Sequence, residues 1–289
     1  ECGICGGDGN CSSEGTLSID IGQGWNWISL NVEGDDMSPN AVLSSLNSTE
    51  LDVIKTPTTS AIYYGVDGGW QGALTELGVE GMYMLQSANS DGLVFTGTVV
   101  DPLAESISLV QGWNWIGFTP QNDGPVNDAL ASLTPTELDV IKRPTSSAIY
   151  YGVDAGWVGA LAAMSPTEGY KLYVANADIL TYPDFGEDDY IPEELTRKAL
   201  PDAISNWEVD YHDYQFNGII NLSIEDHEDF EGDYIGVFVE NECRGVAERM
   251  YFPVDGSYYY SIMVYSNVFE GEELSFKYYN SLNDEIIDY

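Results

Sequence analysis

Thr49-Glu50-Leu51-Asp52-Val53-Ile54-Lys55 opens a 26-residue stretch ending at Leu74, and Thr136-Glu137-Leu138-Asp139-Val140-Ile141-Lys142 opens its repeat, ending at Leu161. The two stretches agree at 22 of 26 positions and differ only at 56/143, 59/146, 68/155 and 71/158. Upstream, Gly24-Trp25-Asn26-Trp27-Ile28 returns as Gly112-Trp113-Asn114-Trp115-Ile116. The spacing of 87 to 88 residues exceeds the roughly 20 to 50 residues of a solenoid unit, so each copy reads as a small domain.

Inside each copy the signals are those of strands. Gln-Gly-Trp-Asn-Trp-Ile follows a turn. Leu51–Lys55, Ala61–Tyr64 and Met82–Leu85, with Ala148–Tyr151 and Tyr170–Val174 in copy two, are apolar or alternating runs bounded by Gly-bearing turns. Ser38-Pro39, and Gly124-Pro125 in copy two, carry the cap chemistry of a short helix of about two turns. Its apolar edge is Val42, Leu43 and Leu46, matched by Ala129, Leu130 and Leu133.

Beyond an acidic linker holding Asp184, Glu187, Asp188, Asp189, Glu193 and Glu194, alternating runs recur at Phe216–Ile224, Tyr234–Val239, Cys243–Met250, Tyr258–Tyr265 and Leu274–Tyr279. Their spacing is that of an immunoglobulin-like sandwich. The expected fold class is therefore all-β: two tandem small β domains, each with a short helix, plus a C-terminal immunoglobulin-like β-sandwich. The expected boundaries are a Cys-rich segment 1–16, β repeats 17–106 and 107–183, the linker 184–202 and the sandwich 203–289.

Composition narrows the function classes. The 289 residues carry 48 acidic against 9 basic side chains, a formal charge of -39 that repels nucleic-acid phosphates and anionic lipid. No nucleic-acid partner is expected. No apolar run reaches the roughly 18 residues of a membrane span, so no membrane insertion is expected, and Glu1 reads as a processed or trimmed start.

The order G-W-N-W-I-S, short helix, aromatic strand, G-W-x-G-x-L and G-Y-x-L-Y-V resembles β modules repeated in secreted bacterial surface proteins. The likeness covers roughly residues 17 to 183; copy one departs at Gly81-Met82-Tyr83, so a ring at position 82 is not assumed. Residues 203–289 are similar to an immunoglobulin-like domain found near the C-termini of such proteins, and Glu1–Cys11 to the Cys-Gly spacer between their modules. The resemblance implies an extracellular or cell-surface location and no catalytic residues.

Candidate sites are few. With only His212 and His227, and no nucleophile-elbow, zinc or phosphate-loop motif, no enzyme and no catalytic residue is expected. Cys2, Cys5, Cys11 and Cys243 are disulfide candidates in an oxidising compartment, and a link from Cys243 to the Cys-rich head is easier between chains than within one. No cofactor is expected; Asp226, Asp229, Glu231 and Asp233 supply the oxygens for Ca2+ but lack EF-hand spacing, so a solvated turn competes. Asn10, Asn47 and Asn221 fit the N-glycosylation sequon. Trp25, Trp70, Trp113 and Trp157 are stacking candidates for a glycan, against the simpler reading that recurring Trp residues fill a core.

Two functions follow. One is a structural subunit of an extracellular filament, a homopolymer in which the N-terminal segment of one chain docks head-to-tail on the next chain's C-terminal domain. There the sandwich ends in the short Glu285–Tyr289 run without a full closing strand, and the cysteine count is even only when head and tail are taken together. The other is a monomeric adhesin or carbohydrate-binding module.

Overall fold

The structure, a computed structural model, describes residues 13–186, 199–224, 231–252 and 255–289. It is all-β, with antiparallel sheets throughout. In copy one, Gly24–Ser29, Met82–Ser87, Val53–Lys55, Ser60–Tyr63 and Trp70–Gly72 form a five-stranded sheet in that order. Gly112–Ile116, Tyr170–Val174, Val140–Lys142, Ser147–Tyr150 and Trp157–Gly159 repeat it in copy two. A smaller layer faces each sheet. In copy one it is Glu14–Ile21, Asp91–Val99 and Val32–Glu33; in copy two it is Ile107–Leu109 paired with Asp178–Leu180.

Period-2 alternation explains the layering. Ile28, Ile54, Ala61 and Leu85 point inward onto Leu17, Ile21 and Leu93, all buried, and Ile116, Ile141, Ala148 and Leu172 do the same in copy two. The G-W-N-W motif is a turn clamp joined to a strand. Gly24 and Gly112 sit at φ +98° and +99°, where a Cβ is penalised. The Asn26 side chain accepts from Gly22 N at 2.8 Å and donates to Gly22 O and Gly24 O; Asn114 repeats this with Val110 and Gly112.

The helices, Pro39–Val42 and Val126–Ala129, are one turn rather than two, because Leu43 and Leu130 already leave helical geometry. Ser38 caps the first by accepting from Ala41 N. In copy two the cap position is Pro125, which has no side-chain acceptor, so the start lies one residue later than Gly124-Pro125 implies. Each helix exists to hold a tryptophan. Asn40 accepts from Trp70 N at 2.7 Å and donates to Trp70 O at 2.9 Å, and Asn127 grips Trp157 likewise at 2.7 and 3.1 Å.

The one-residue offset also places the aromatic of the second strand. Tyr83, not residue 82, corresponds to buried Tyr170, since Trp27 pairs with Met84 and Trp115 with Lys171.

The copies meet about a pseudo-two-fold axis. Ser29 N donates to Thr167 O at 2.8 Å and Gly117 N to Glu80 O at 2.9 Å, and Ile28 bridges Glu168 as Ile116 bridges Gly81. Each sheet thus lends the end of its edge strand to the other, which removes two free edges at once.

The C-terminal unit is a β-sandwich. One sheet has the order Phe216–Leu222, Ser257–Ser266, Met250–Phe252; the other has Glu242–Glu248, Tyr234–Val239, Ser275–Asn280, Glu285–Asp288. Ile235, Val237, Tyr260, Ile262 and Tyr278 fill the space between. The Glu285–Tyr289 run, expected to leave the domain without a closing strand, instead pairs with Lys277–Asn280 as the edge strand of its sheet. Trp207, in the 3-10 segment Asp202–Trp207, packs on the outer face of the four-stranded sheet against Phe238, over Gly236, where a Cβ would come within 2.8 Å of the indole.

Asp52 and Asp139 are buried staples. Asp52 accepts from Thr49 N at 2.8 Å and Ala88 N at 2.9 Å, and Asp139 from Thr136 N and Ala175 N, both at 2.8 Å. Asp52→Ala and Asp139→Ala should each destabilise their own copy by about 1–3 kcal/mol, the cost of orphaned buried donors. Faster amide hydrogen exchange at Ala88 or Ala175, confined to the mutated copy, is the expected readout; unchanged protection would contradict it.

Candidate functional site

The outer faces of the two five-stranded sheets converge at the axis, and three of the chain's five lysines gather there. Strand alternation that sends Asn26 and Ile28 inward sends Trp25 and Trp27 outward, with Trp113 and Trp115 in copy two. Lys55 Nζ lies 4.4 Å from the Trp25 ring centre and Lys142 Nζ 4.9 Å from Trp113. The duplicated lysine thus makes an equivalent contact in each copy. Lys171 Nζ sits between rings from both copies, 4.0 Å from Trp27 and 4.7 Å from Trp115. Met82 and Met84, both buried, fill the rest of the seam beside Trp27.

Such cations face π electrons instead of water. Burial lowers the Lys55 ammonium pKa, and it pulls Lys142 down to about 8. Lys171 falls to about 7, first through burial and then through the charges of Lys142 and Lys55.

The C-terminal unit closes over this face. His212 Nδ1 donates to Trp25 O at 2.8 Å, Lys142 Nζ donates to Asn217 O at 2.8 Å, Tyr265 Oη donates to Pro144 O at 2.8 Å, and the Tyr151 and Phe252 rings meet edge-on at 4.5 Å. The contacts described here are cohesive ones, between rings, ammonium groups and main-chain carbonyls.

The four tryptophans singled out for stacking do not form one surface. Trp70 and Trp157 are 6% and 5% exposed and belong to the two cores, which removes them as glycan contacts. Trp25 is half-buried under Lys55, and only Trp113, at 48% exposure, offers its ring to solvent, edge-on to Tyr173.

Of the Ca2+ candidates, Asp226 and Asp229 lie outside the described residues. Asp233 is fully buried, and its carboxylate accepts from Tyr278 Oη at 2.6 Å, Ser281 N at 2.8 Å and Ser281 Oγ at 2.7 Å. It anchors the sandwich through these bonds. Glu231 is exposed in the neighbouring turn, and no group of three or more potential metal ligands occurs among the described residues.

Cys243 is buried at 8% exposure beneath Ile204 and Trp207, its Sγ donating to Gly245 O; Cys2, Cys5 and Cys11 lie outside the described residues. Of the sequons, Asn47 is exposed but its Nδ2 donates to Asp91 at 3.0 Å, Asn221 is exposed on a strand, and Asn10 lies outside the described residues.

A second candidate interface is the side of the sandwich. In an immunoglobulin sheet a first strand pairs with the free side of the second. Here the strand in the second position is Phe216–Leu222, followed in its sheet by Ser257–Ser266 and Met250–Phe252, and among the described residues no strand occupies the first position. On the opposite side the chain runs from Glu242–Glu248 in one sheet to Met250–Phe252 in the other and closes it. On the open side Phe216–Leu222 and Glu285–Asp288 are the edge strands, with no further strand paired to them among the described residues. Half-buried Leu222, Ile224, Phe276 and Ile287 pack there against the core, and Phe269, 81% exposed, stands beside Phe216. Comparison with known protein families, with curated proteins and with solved structures finds no match to this chain.

Because Lys171 is deprotonated more readily in the folded than in the unfolded chain, the unfolded state binds more protons above about pH 7. Stability contributed by this site therefore rises as pH increases from about 7 towards the free-lysine value, and the desolvation cost is fully present below 7. Lys171→Met, which installs the residue found at the matching position 84, should flatten that rise. Thermal melting of both proteins between pH 6 and 9.5 tests this, and parallel curves would refute it.

Proposed function

We propose that the chain is a structural, non-enzymatic subunit of an extracellular filament or appendage, joined head-to-tail by a segment near the N-terminus of one copy adding as a strand to the C-terminal sandwich of the next. The observation that carries this reading is the first-strand position beside Phe216–Leu222, which no strand of the described residues occupies and which half-buried apolar side chains flank. Strand addition satisfies the free N–H and C=O groups of such an edge and covers its apolar rim. The rest of the molecule suits a load-bearing role: the two copies share backbone pairing, and the C-terminal unit is tied to both by hydrogen bonds and ring contacts. In this reading the seam of lysines and tryptophans is internal glue that keeps the subunit a fixed length.

Subunits of charge -39 repel one another, so assembly should strengthen with salt as the screening length shortens. Purified chain viewed by negative-stain microscopy should show fibres that lengthen with added NaCl. Deleting residues 1–12 should leave dispersed particles with an unchanged circular-dichroism spectrum. Dispersed particles from the undeleted chain at every salt concentration, or fibres that survive the deletion, would overturn the proposal.

A further inference from the structure

A cleft of about 320 Å3 opens where copy one, copy two and the Tyr211–Asp213 turn meet. Asp20 of copy one, Arg143, Thr145, Thr167 and Glu168 of copy two, and Tyr211 line it. None of these was nominated by the sequence. Its size falls at the small end of the roughly 300–1,000 Å3 range of ligand pockets.

Three observations distinguish this cleft from an ordinary crevice. First, it is built by divergence within an otherwise preserved duplicate. Two of the four differences between the 26-residue stretches are Thr56 to Arg143 and Thr59 to Ser146. In copy one the two threonines bond to each other, hydroxyl to hydroxyl at 2.9 Å. In copy two Arg143 Nε donates to Ser146 Oγ at 2.9 Å, and Nη1 donates to both Glu168 oxygens at 3.1 and 2.9 Å. Tyr170 Oη fixes that carboxylate from behind at 2.9 Å.

Second, Thr167 holds φ +70°, a conformation that a β-branched residue adopts at a cost, and Glu80 at the matching place in copy one does not share it. Strain of this kind gathers where a site is being shaped. Third, the phenol of Tyr211 lines the cleft without a hydrogen-bond partner among the described residues, and burial, with the charges of Glu168 and Asp210, raises its pKa to about 12. It therefore stays a neutral donor and acceptor.

The lining selects its ligand by chemistry. Arg143 and Glu168 cancel in charge while Asp20 adds one negative charge, so an anion is disfavoured, the more so in a chain of charge -39. A guanidinium beside the acidic groups disfavours a bare cation, and although Trp27 and Pro144 add an apolar wall, the charged and hydroxyl groups facing it would be left unpaired by a wholly apolar molecule. What remains is a neutral ligand rich in neighbouring hydroxyls, whose donors and acceptors match a guanidinium, a carboxylate, a phenol and two threonine hydroxyls. We propose that this cleft, whose wall includes Trp27, binds a neutral pyranose unit of a glycan, giving the chain a sugar-recognition site distinct from exposed Trp113 and independent of whether it polymerises.

Amide NMR titration of the full chain with D-glucose, D-galactose, D-mannose and N-acetyl-D-glucosamine tests it. At least one sugar should give saturable shifts centred on Thr145, Thr167 and Tyr211. Arg143→Thr restores the residue copy one carries, and Tyr211→Phe removes one hydroxyl; each should weaken binding by about tenfold because a built polar site loses a partner. Should either variant disturb folding, the other keeps the test decisive. Silence from all four sugars, shifts centred on Trp113, or affinities unchanged in both variants would overturn the proposal.

Discussion

Each five-stranded sheet has two faces that must leave water, and the rest of the molecule is arranged around burying the second one. The inner face is covered by the copy's own small layer, in the ordinary way of a sandwich. The outer face carries Trp25, Trp27, Met84 and Lys55, or Trp113, Trp115, Lys171 and Lys142, which no strand of the same copy covers. Two indoles and a thioether represent several kcal/mol of apolar burial at about 25 cal/mol per Å2, more than one exposed edge can forgo. Bringing the copies together about a pseudo-two-fold axis, and folding the C-terminal unit over the join, covers most of that surface.

That solution requires the copies to differ. Perfect symmetry would place two identical side chains against the axis, and two lysines there would repel while two methionines would leave the rings without a cation. The chain carries Met84 on one side and Lys171 on the other, so a single ammonium reaches Trp27 and Trp115. The same asymmetry recurs at the cleft, where Arg143 replaces Thr56. Duplication supplied matching backbones, and a handful of substitutions at the join turned a symmetric pair into an oriented one to which a single C-terminal unit attaches.

Much of the fold was legible because it is local. Most strands, the duplication itself and the apolar edge of Val42 and Leu43 follow from short-range pattern, and the recurrence of Trp70 and Trp157 pointed correctly to a core role, whereas the first strand starts at Glu14, within the segment 1–16 expected to precede copy one. Glu14–Ile21 and Asp91–Val99 are less evident, although Thr16, Ser18 and Asp20 alternate with Leu17, Ile19 and Ile21, because Gly15, Gly92 and Gly97 interrupt the runs and weaken the strand signal. The seam was invisible for a different reason. Lys171 looks like a solvated residue on an alternating strand until a second sheet arrives over it, and no window of sequence contains both Trp27 and Lys171. Asp233 misled in the opposite direction: a carboxylate in an acidic run reads as solvated or metal-facing, while Tyr278 and Ser281, nearly 50 residues later, take up its oxygens.

The distribution of charge ties these features together. Basic side chains are scarce, and the described ones are spent on contacts: Lys55, Lys142 and Lys171 on tryptophans, Arg143 on Glu168, Arg244 on Glu272 and Tyr214, Arg249 on Tyr258, Lys277 on Asp288. The acidic excess is left to the surface, where it discourages random association of free sheet edges. In the proposed assembly, an edge guarded in this way would accept only a strand whose apolar side chains fit the half-buried rim at Leu222, Ile224, Phe276 and Ile287, because main-chain pairing alone would have to work against the repulsion. On that proposal, the charge that opposes indiscriminate association would also raise the specificity demanded of the strand that adds to the sandwich.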